Sequence, residues 1–525
     1  MPRHYIHFHQ GYDINKGGTI GYNSILLDSF RCYNKNFKTN NGIECAFIYP
    51  NIKPTERLNN ELLRDIIDLR FQYTQEYKNE KINNNLIKIR KNWFKEILPL
   101  ELYSKINTHE ISSIHIHGAY NFLPIYNSLA KMGVDSKVLK ILTTHNPFKP
   151  EVEDLELSNQ NNTLNQNMID MLSFFFKERD YWAFRLADTL IFPSEYSIEG
   201  YYETWPEFKD IIKNKKIFFT TTGTKEKKSN TTKKIKRKEL NIPNNAKVFL
   251  YLGRFIKIRG YDLLIEAAKH ILKKEDNIYF VVVGENREKV MNHKNWIQIP
   301  FTDSPGDFIN MADACLCPNR GSLFDLSMIE ILSLAKPIIC AKVGGYKFLE
   351  NKTSGVIYFE KENIFDFINA IEKFLTLNQI NIDKMGQENR KLYDTELNLE
   401  NFQRNYCNTI DEIYDYFKIS SNNYSFADKT HLFPLEKEVK NIPIIKKEQK
   451  TPIIDSVVQK VNNVIPVENQ KIKNRKIRKL VYSPNLFFRD MLINIKNNKK
   501  LKKLKHNPKR FFKDFAINLI NKIFR

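Results

Sequence analysis

No run of about 18 apolar residues occurs in this 525-residue chain, so no segment is expected to span a membrane as a helix. The opening residues, Met1 to His9, lack the basic and then apolar pattern of a secretory leader. Cysteine is sparse, and none of Cys32, Cys45, Cys315, Cys317, Cys340 and Cys407 has metal-ligand spacing. Cys315 and Cys317 share one face of an apolar run, which suits buried, inert thiols better than a redox or metal role. These absences point to a cytoplasmic chain. Acidic residues are nearly missing from one region only. Residues 471–525 carry 18 Lys and Arg against two Asp and Glu, and the other 470 residues are left with only +6 of the total +22. The basicity belongs to an appendage, which argues against a nucleic-acid-binding body.

The length exceeds one ordinary core and calls for two or three domains. Residues 1–225 alternate apolar runs with helical patterns, with strands expected at 5–9, 44–49, 113–117, 138–143, 189–193 and 216–220. The Asn/Lys-rich segment 51–110 reads as helix and loop. A polar break at 225–245 precedes a second alternation over 240–398, with strands expected at 248–252, 278–283, 296–299, 314–317, 338–340 and 356–359. Such β-α alternation is the pattern of an α/β chain with two doubly wound parallel sheets, whose ligands lie at the carboxyl ends of the strands.

A helix is expected at 399–418, and 420–470 reads as a linker. In 471–525 a repeat recurs at a spacing of 24: a basic run, Pro484 and Phe487-Phe488, then a basic run, Pro508 and Phe511-Phe512. Phe511, Phe512, Phe515, Leu519 and Ile523 fall near one helical face flanked by cations. That pattern suits a helix lying on an anionic membrane surface; a solvated tail, or one packed on its own body, is the plain alternative.

Two segments of the second alternation suggest a site. In the first, a strand ends in Gly253-Arg254, Arg259 follows five residues later, and a helix begins at Gly260. Two guanidinium groups beside a helix start suit a diphosphate. The second runs from Pro318 through Ser322, Phe324, Asp325, Leu326 and Glu330 to Pro337 and the pair Gly344-Gly345. Its one carboxylate amid apolar helix residues, and its glycines, suggest close approach by a bulky anion. Glu330 also fits a capping box with Ser327, which would only tie off a helix start.

Together these segments resemble the donor-binding region of family 4 glycosyltransferases (glycosyl transferases group 1), nucleotide-sugar enzymes of the GT-B fold. The resemblance covers about residues 4–418 and is strongest over 248–345. It implies a GT-B fold, with an acceptor-side domain over 1–225, a nucleotide-sugar domain over 240–398 and a helix at 399–418 crossing back to the first domain. It also implies that Arg254 and Arg259 meet the diphosphate, with Arg259 standing where the family lysine usually sits, and that Glu330 binds the ribose. The family's first glutamate is Ser322 here, and its Phe-Gly-Leu is Phe324-Asp325-Leu326, which puts the usual donor-sugar contact in doubt.

In the first domain, Gly17 and Gly18 follow the first strand and match a loop that caps the donor phosphates in the family; a plain loop is the alternative. Alternation puts His115 and His117 on one strand face, and His145 ends the next strand. By resemblance, His117 stands near the reacting sugar and His145 on the acceptor side. His7, His9, His115, His117 and His145 could in principle gather round a metal, but the resembled enzymes use basic residues instead, so no metal and no cofactor are expected. Leu186 to Glu195 resemble the family's strand and turn just before the domain crossing; a purely structural role for its polar residues is the alternative.

The expectation is therefore a retaining, metal-independent glycosyltransferase of cell-surface polysaccharide synthesis. It would take a nucleotide diphosphate-sugar donor and a glycan, lipid-linked or protein acceptor, and sit on the inner face of the membrane through 471–525. The rival is a membrane-docked sugar-binding or scaffold protein that has lost turnover, motivated by Ser322 and Asp325.

Overall fold

The computed structural model describes residues 2–8, 11–13, 17–50, 98, 100–158, 166–284 and 291–419. The expectations for His9, for most of 51–110 and for the linker and basic tail beyond 419 lie outside the described residues.

Among the described residues, twelve strands form two six-stranded sheets. The first contains β1 (Arg3–His7), β2 (Glu44–Ile48), β3 (Ile111–His117), β4 (Leu139–Thr143), β5 (Thr189–Phe192) and β6 (Ile217–Phe219). The second contains β7 (Lys247–Leu252), β8 (Ile278–Val283), β9 (Trp296–Ile299), β10 (Ala314–Cys317), β11 (Ile338–Ala341) and β12 (Val356–Phe359). Every pairing within the sheets is parallel. Their orders are β2-β1-β3-β4-β5-β6 and β12-β11-β10-β7-β8-β9. Helices cover both faces of such sheets, so the central strands read as near-continuous apolar runs. All seven residues of β3 and all four of β10 are buried, Cys315 and Cys317 among them.

Strand order reverses between β1 and β3 in the first sheet and between β7 and β10 in the second. In doubly wound sheets the crevice at such a switch point, at the carboxyl ends of the strands, takes the ligand. The expected sites fall there: His117 ends β3, Arg254 follows β7, and Asn319 to Glu330 follow β10.

Five helices position these groups: α1 (Gly18–Tyr33), α2 (Pro150–Ser158), α3 (Tyr261–Ile271), α4 (Leu326–Ser333) and α5 (Leu399–Phe417). The chain passes between the sheets twice, and the two passages are bonded side by side. Thr224 N donates to Leu397 O at 3.0 Å, and a Cβ on Gly223 would stand 2.2 Å from Asn398 O. Helix α5 then returns onto the first sheet. Its N-cap Asn398 accepts from Asn401 N, as a good capping residue should. Its Tyr406 hydroxyl lies 3.0 Å from His4 Nε2 and 2.8 Å from His115 Nδ1, and its Tyr414 hydroxyl lies 2.7 Å from Ser113 Oγ. Among the described residues, no helix is long and apolar enough to cross a membrane.

Candidate functional site

The second-domain half of the site is built on turns that admit only glycine. Gly260 caps α3 in the left-handed region, at φ 66°, and a Cβ there would stand 1.8 Å from Pro318 O. Both demands are met by the smallest residue alone, and the loop after β7 can therefore lie against the end of β10. The start of α3 and the two arginines consequently share the mouth of the β7/β10 crevice.

Each arginine faces a carboxylate. Arg259 Nη1 bonds Asp325 Oδ2 at 2.5 Å, and the same oxygen accepts from Asn319 Nδ2 at 2.8 Å and from the Tyr346 hydroxyl at 3.0 Å. Burial opposes the charge on Arg259, but the Asp325 carboxylate outweighs it and holds the guanidinium firmly protonated. Asp325 also starts α4 as its N-cap, through its backbone oxygen. Its carboxylate thus has three donors within the second domain. Arg254 Nη2 is hydrogen-bonded to Glu153 of α2, which belongs to the first domain.

Glu330 lies inside α4, its Oε1 3.0 Å from Lys227 Nζ. Helix α4 begins with Asp325 at the N-cap, which puts Ser327 inside the first turn, and no side-chain cap forms. The Ser327–Glu330 capping box is therefore absent: the helix starts two residues too early for it. Phe324 is buried edge-on to Phe348, at 5.1 Å between centroids, and Leu326 packs partly buried at the core that α5 shares with the first sheet.

The double glycine corrects the sequence reading. Protein backbone, not a ligand, approaches it. A Cβ on Gly344, at φ 42°, would stand 2.0 Å from Ser322 O, and Gly345 N donates to that oxygen at 2.9 Å. The glycines clamp the loop that carries Ser322. The Ser322 hydroxyl is buried, with no hydrogen-bond partner among the described residues.

On the first-domain side, Gly17 caps α1 and Gly18 follows at φ 64°, in the left-handed region. Neither has any atom within 4 Å of where a Cβ would be, so the bend alone asks for glycine, and only at Gly18. His117 and His145, the ends of neighbouring strand paths, meet at 3.0 Å from Nδ1 to Nε2. Tyr22 of α1 packs on both rings, at 5.6 and 4.8 Å between centroids. His117 is fully buried and its Nε2 has no partner among the described residues. If His145 donates to His117, that Nε2 carries the proton and is a spare donor; with the opposite tautomers it is a spare acceptor. Burial, with its imidazole neighbours, holds His117 well below the usual histidine range, so the ring is neutral near pH 7.

His115 does not share this position. It points its two nitrogens at Tyr406 and Thr143, at 2.8 Å each, and ties α5 to the sheet. His7 is fully buried. Among the described residues, no group of three or more His, Cys, Asp or Glu is arranged to hold a metal ion.

Glu153, Asn319, Tyr346, Lys227 and Tyr22 escaped the sequence reading. Tyr22 had a faint signal, lying four residues beyond Gly18 on the same helix. Glu153 and Lys227 are about a hundred residues from their partners, and no local pattern links them.

Residues 232–392 match the family model described as Glycosyl transferases group 1. The chain is 32% identical over 116 residues to the O-antigen biosynthesis glycosyltransferase WclY of Escherichia coli, covering 20% of this chain and 32% of that one. It is 24% identical over 299 residues to the lipopolysaccharide 1,2-N-acetylglucosaminetransferase of Salmonella typhimurium, covering 53% of this chain and 67% of that one. It thus spans about a third of the length of the E. coli relative. Among solved structures, it superposes on the α,α-trehalose 6-phosphate synthase of Burkholderia multivorans with a TM-score of 0.53 at 11% identity, covering 80% of this chain and 98% of that one. With that solved structure it shares the fold, two doubly wound domains of the GT-B type facing a cleft.

Proposed function

We propose that the chain is a glycosyltransferase of the glycosyl transferases group 1, the family whose model residues 232–392 match. It moves a sugar from a nucleotide diphosphate-sugar to a glycan, lipid-linked or protein acceptor. The observation that supports this reading best is the meeting of Arg254, Arg259 and the start of α3 at the β7/β10 switch point, with Glu330 on the neighbouring helix. Cations and a helix N-terminus offset negative charge, and a departing diphosphate gains most of its charge in the transition state. Preorganised positive groups there lower the barrier without any step assigned to a metal.

In this reading Glu330 accepts from the ribose hydroxyls, and Ser322, Phe324, Asp325 and Leu326 shape the donor pocket. Gly17 and Gly18 close over the phosphates. The acceptor hydroxyl enters from the first domain beside His117, whose neutral ring orients it through Nε2, with His145 fixing the tautomer. The sugar is transferred with retention of anomeric configuration. The names of the relatives concern O-antigen and lipopolysaccharide synthesis; we carry that to this chain as assembly of a cell-surface glycan. The basic, phenylalanine-bearing segment 471–525 would then keep the enzyme at an anionic membrane on its cytoplasmic face, where lipid-linked acceptors reside.

The test is release of nucleoside diphosphate across a panel of nucleotide sugars in the presence of chelator. One donor, or a close pair, is expected to be turned over, with the anomeric configuration retained in the product. A protein that binds nucleotide sugars but turns over none would instead be the non-catalytic scaffold.

A further inference from the structure

The two arginines of the anion site are unequally committed. Arg259 and Asp325 belong to one domain, and Asn319 and Tyr346 fix that carboxylate further. Arg254 is paired across the cleft. Its partner, Glu153, has a side chain only 6% exposed, whereas that of Arg254 is 36% exposed. Glu153 Oε2 accepts from Asn146 Nδ2 at 2.8 Å, so the carboxylate is anchored at the end of the β4 path, next to His145. Around it, α2 and the residues before it meet the loop after β7. Lys257 N donates to Glu156 at 2.7 Å, and Phe148 packs with Ile256 and Ile258. The seam continues with Lys347 to Glu199 at 2.7 Å and Lys361 to Glu203 at 2.5 Å. In each of these polar contacts the second domain donates and a first-domain glutamate accepts.

Two guanidinium groups facing two carboxylates make a quartet of no net charge. A diphosphate approaching it gains little until one carboxylate leaves. Asp325 is held by three donors inside its own domain, so the carboxylate that can leave is Glu153. We propose that Glu153 is an internal competitor of the donor diphosphate. It holds Arg254 on the first domain and sets the apparent donor affinity. This rests on the donor-site reading of Arg254 given above. A bound internal competitor lowers apparent affinity by the fraction of time it holds the site.

Inorganic pyrophosphate, the part common to all diphosphate donors, is the probe. Calorimetric titration of the full chain compares wild type with Glu153→Gln, Glu153→Ser and Glu199→Gln. The last breaks a seam pair remote from Arg254. Both Glu153 variants are expected to bind pyrophosphate about tenfold more tightly, and Glu199→Gln to stay within about twofold of wild type. Unchanged or weaker binding by both Glu153 variants overturns the proposal and leaves the donor site standing, since Glu153 would then merely orient Arg254. Equal tightening by Glu199→Gln also overturns it, because loosening the seam would then suffice. Failure of every protein to bind pyrophosphate removes both this proposal and the donor-site reading.

Discussion

Arg254 and Arg259 look equivalent in the sequence and are not equivalent in the fold. Arg259 is built into the second domain, whereas Arg254 spans the cleft. Loss of Arg259 strands Asp325 among its remaining donors, so Arg259→Ala is expected to cost stability as well as activity. Arg254→Ala is expected to lower kcat/KM for the donor by about 10²–10³, the usual loss for one charge-stabilising donor, and to lower the unfolding midpoint as well, because it leaves the buried Glu153 carboxylate to Asn146. Steady-state kinetics and denaturant unfolding on both variants check this. At this scale the sequence was readable where chemistry is local. The Gly-Arg pair, the spacing to Arg259 and the isolated Glu330 could all be seen in it. What each residue is bonded to could not. Lys227 and Glu153 reach their partners only through the tertiary fold, and Asp325, which departs from the family's Phe-Gly-Leu, has a carboxylate engaged by three protein donors.

All twelve strands lie where alternating apolar runs put them, within a residue or two at each end, because parallel strands buried on both faces are conspicuous in a polar chain. Turns were less legible. Gly344 and Gly345 announced a close approach but not its identity, and the partner is the Ser322 backbone. Ser327-x-x-Glu330 matched a capping box, yet α4 starts at Leu326 after Asp325. A motif cannot say which of two polar residues takes the cap. Gly260 gives the sharpest prediction for an element. Alanine there must adopt a left-handed φ and displace Pro318 O, so Gly260→Ala is expected to cost at least about 1–3 kcal/mol. Urea unfolding measures it, and an unchanged midpoint would mean that the loop after β7 relaxes freely.

At the scale of the molecule, α5 is the strap that returns from the second sheet to the first, and it is fastened through buried neutral histidines. Burial pushes His4 and His7 down to about 3 and holds His115 and His117 well below the ordinary value. Unfolded imidazoles titrate near 6.5. Between that value and about 3 the unfolded chain therefore binds more protons than the folded one. The histidine contribution to stability is complete above about pH 6.5 and is lost as pH falls below it. The melting temperature is expected to drop between pH 7.5 and 5, and a flat profile would contradict neutral, buried rings. The basic tail is a separate matter, legible as composition alone: deleting 471–525 is expected to move the protein from the membrane fraction to the supernatant, and unchanged sedimentation would refute the anchor.

On the reading proposed above, one donor site formed by Arg254, Arg259 and Glu330 serves the transfer. Nucleoside diphosphate release from the preferred nucleotide sugar, measured for wild type, Arg254→Ala and Glu330→Ala, tests it most directly. Turnover by wild type with loss of about a hundredfold or more in each variant is the result predicted. Turnover by both variants at the wild-type rate would contradict it.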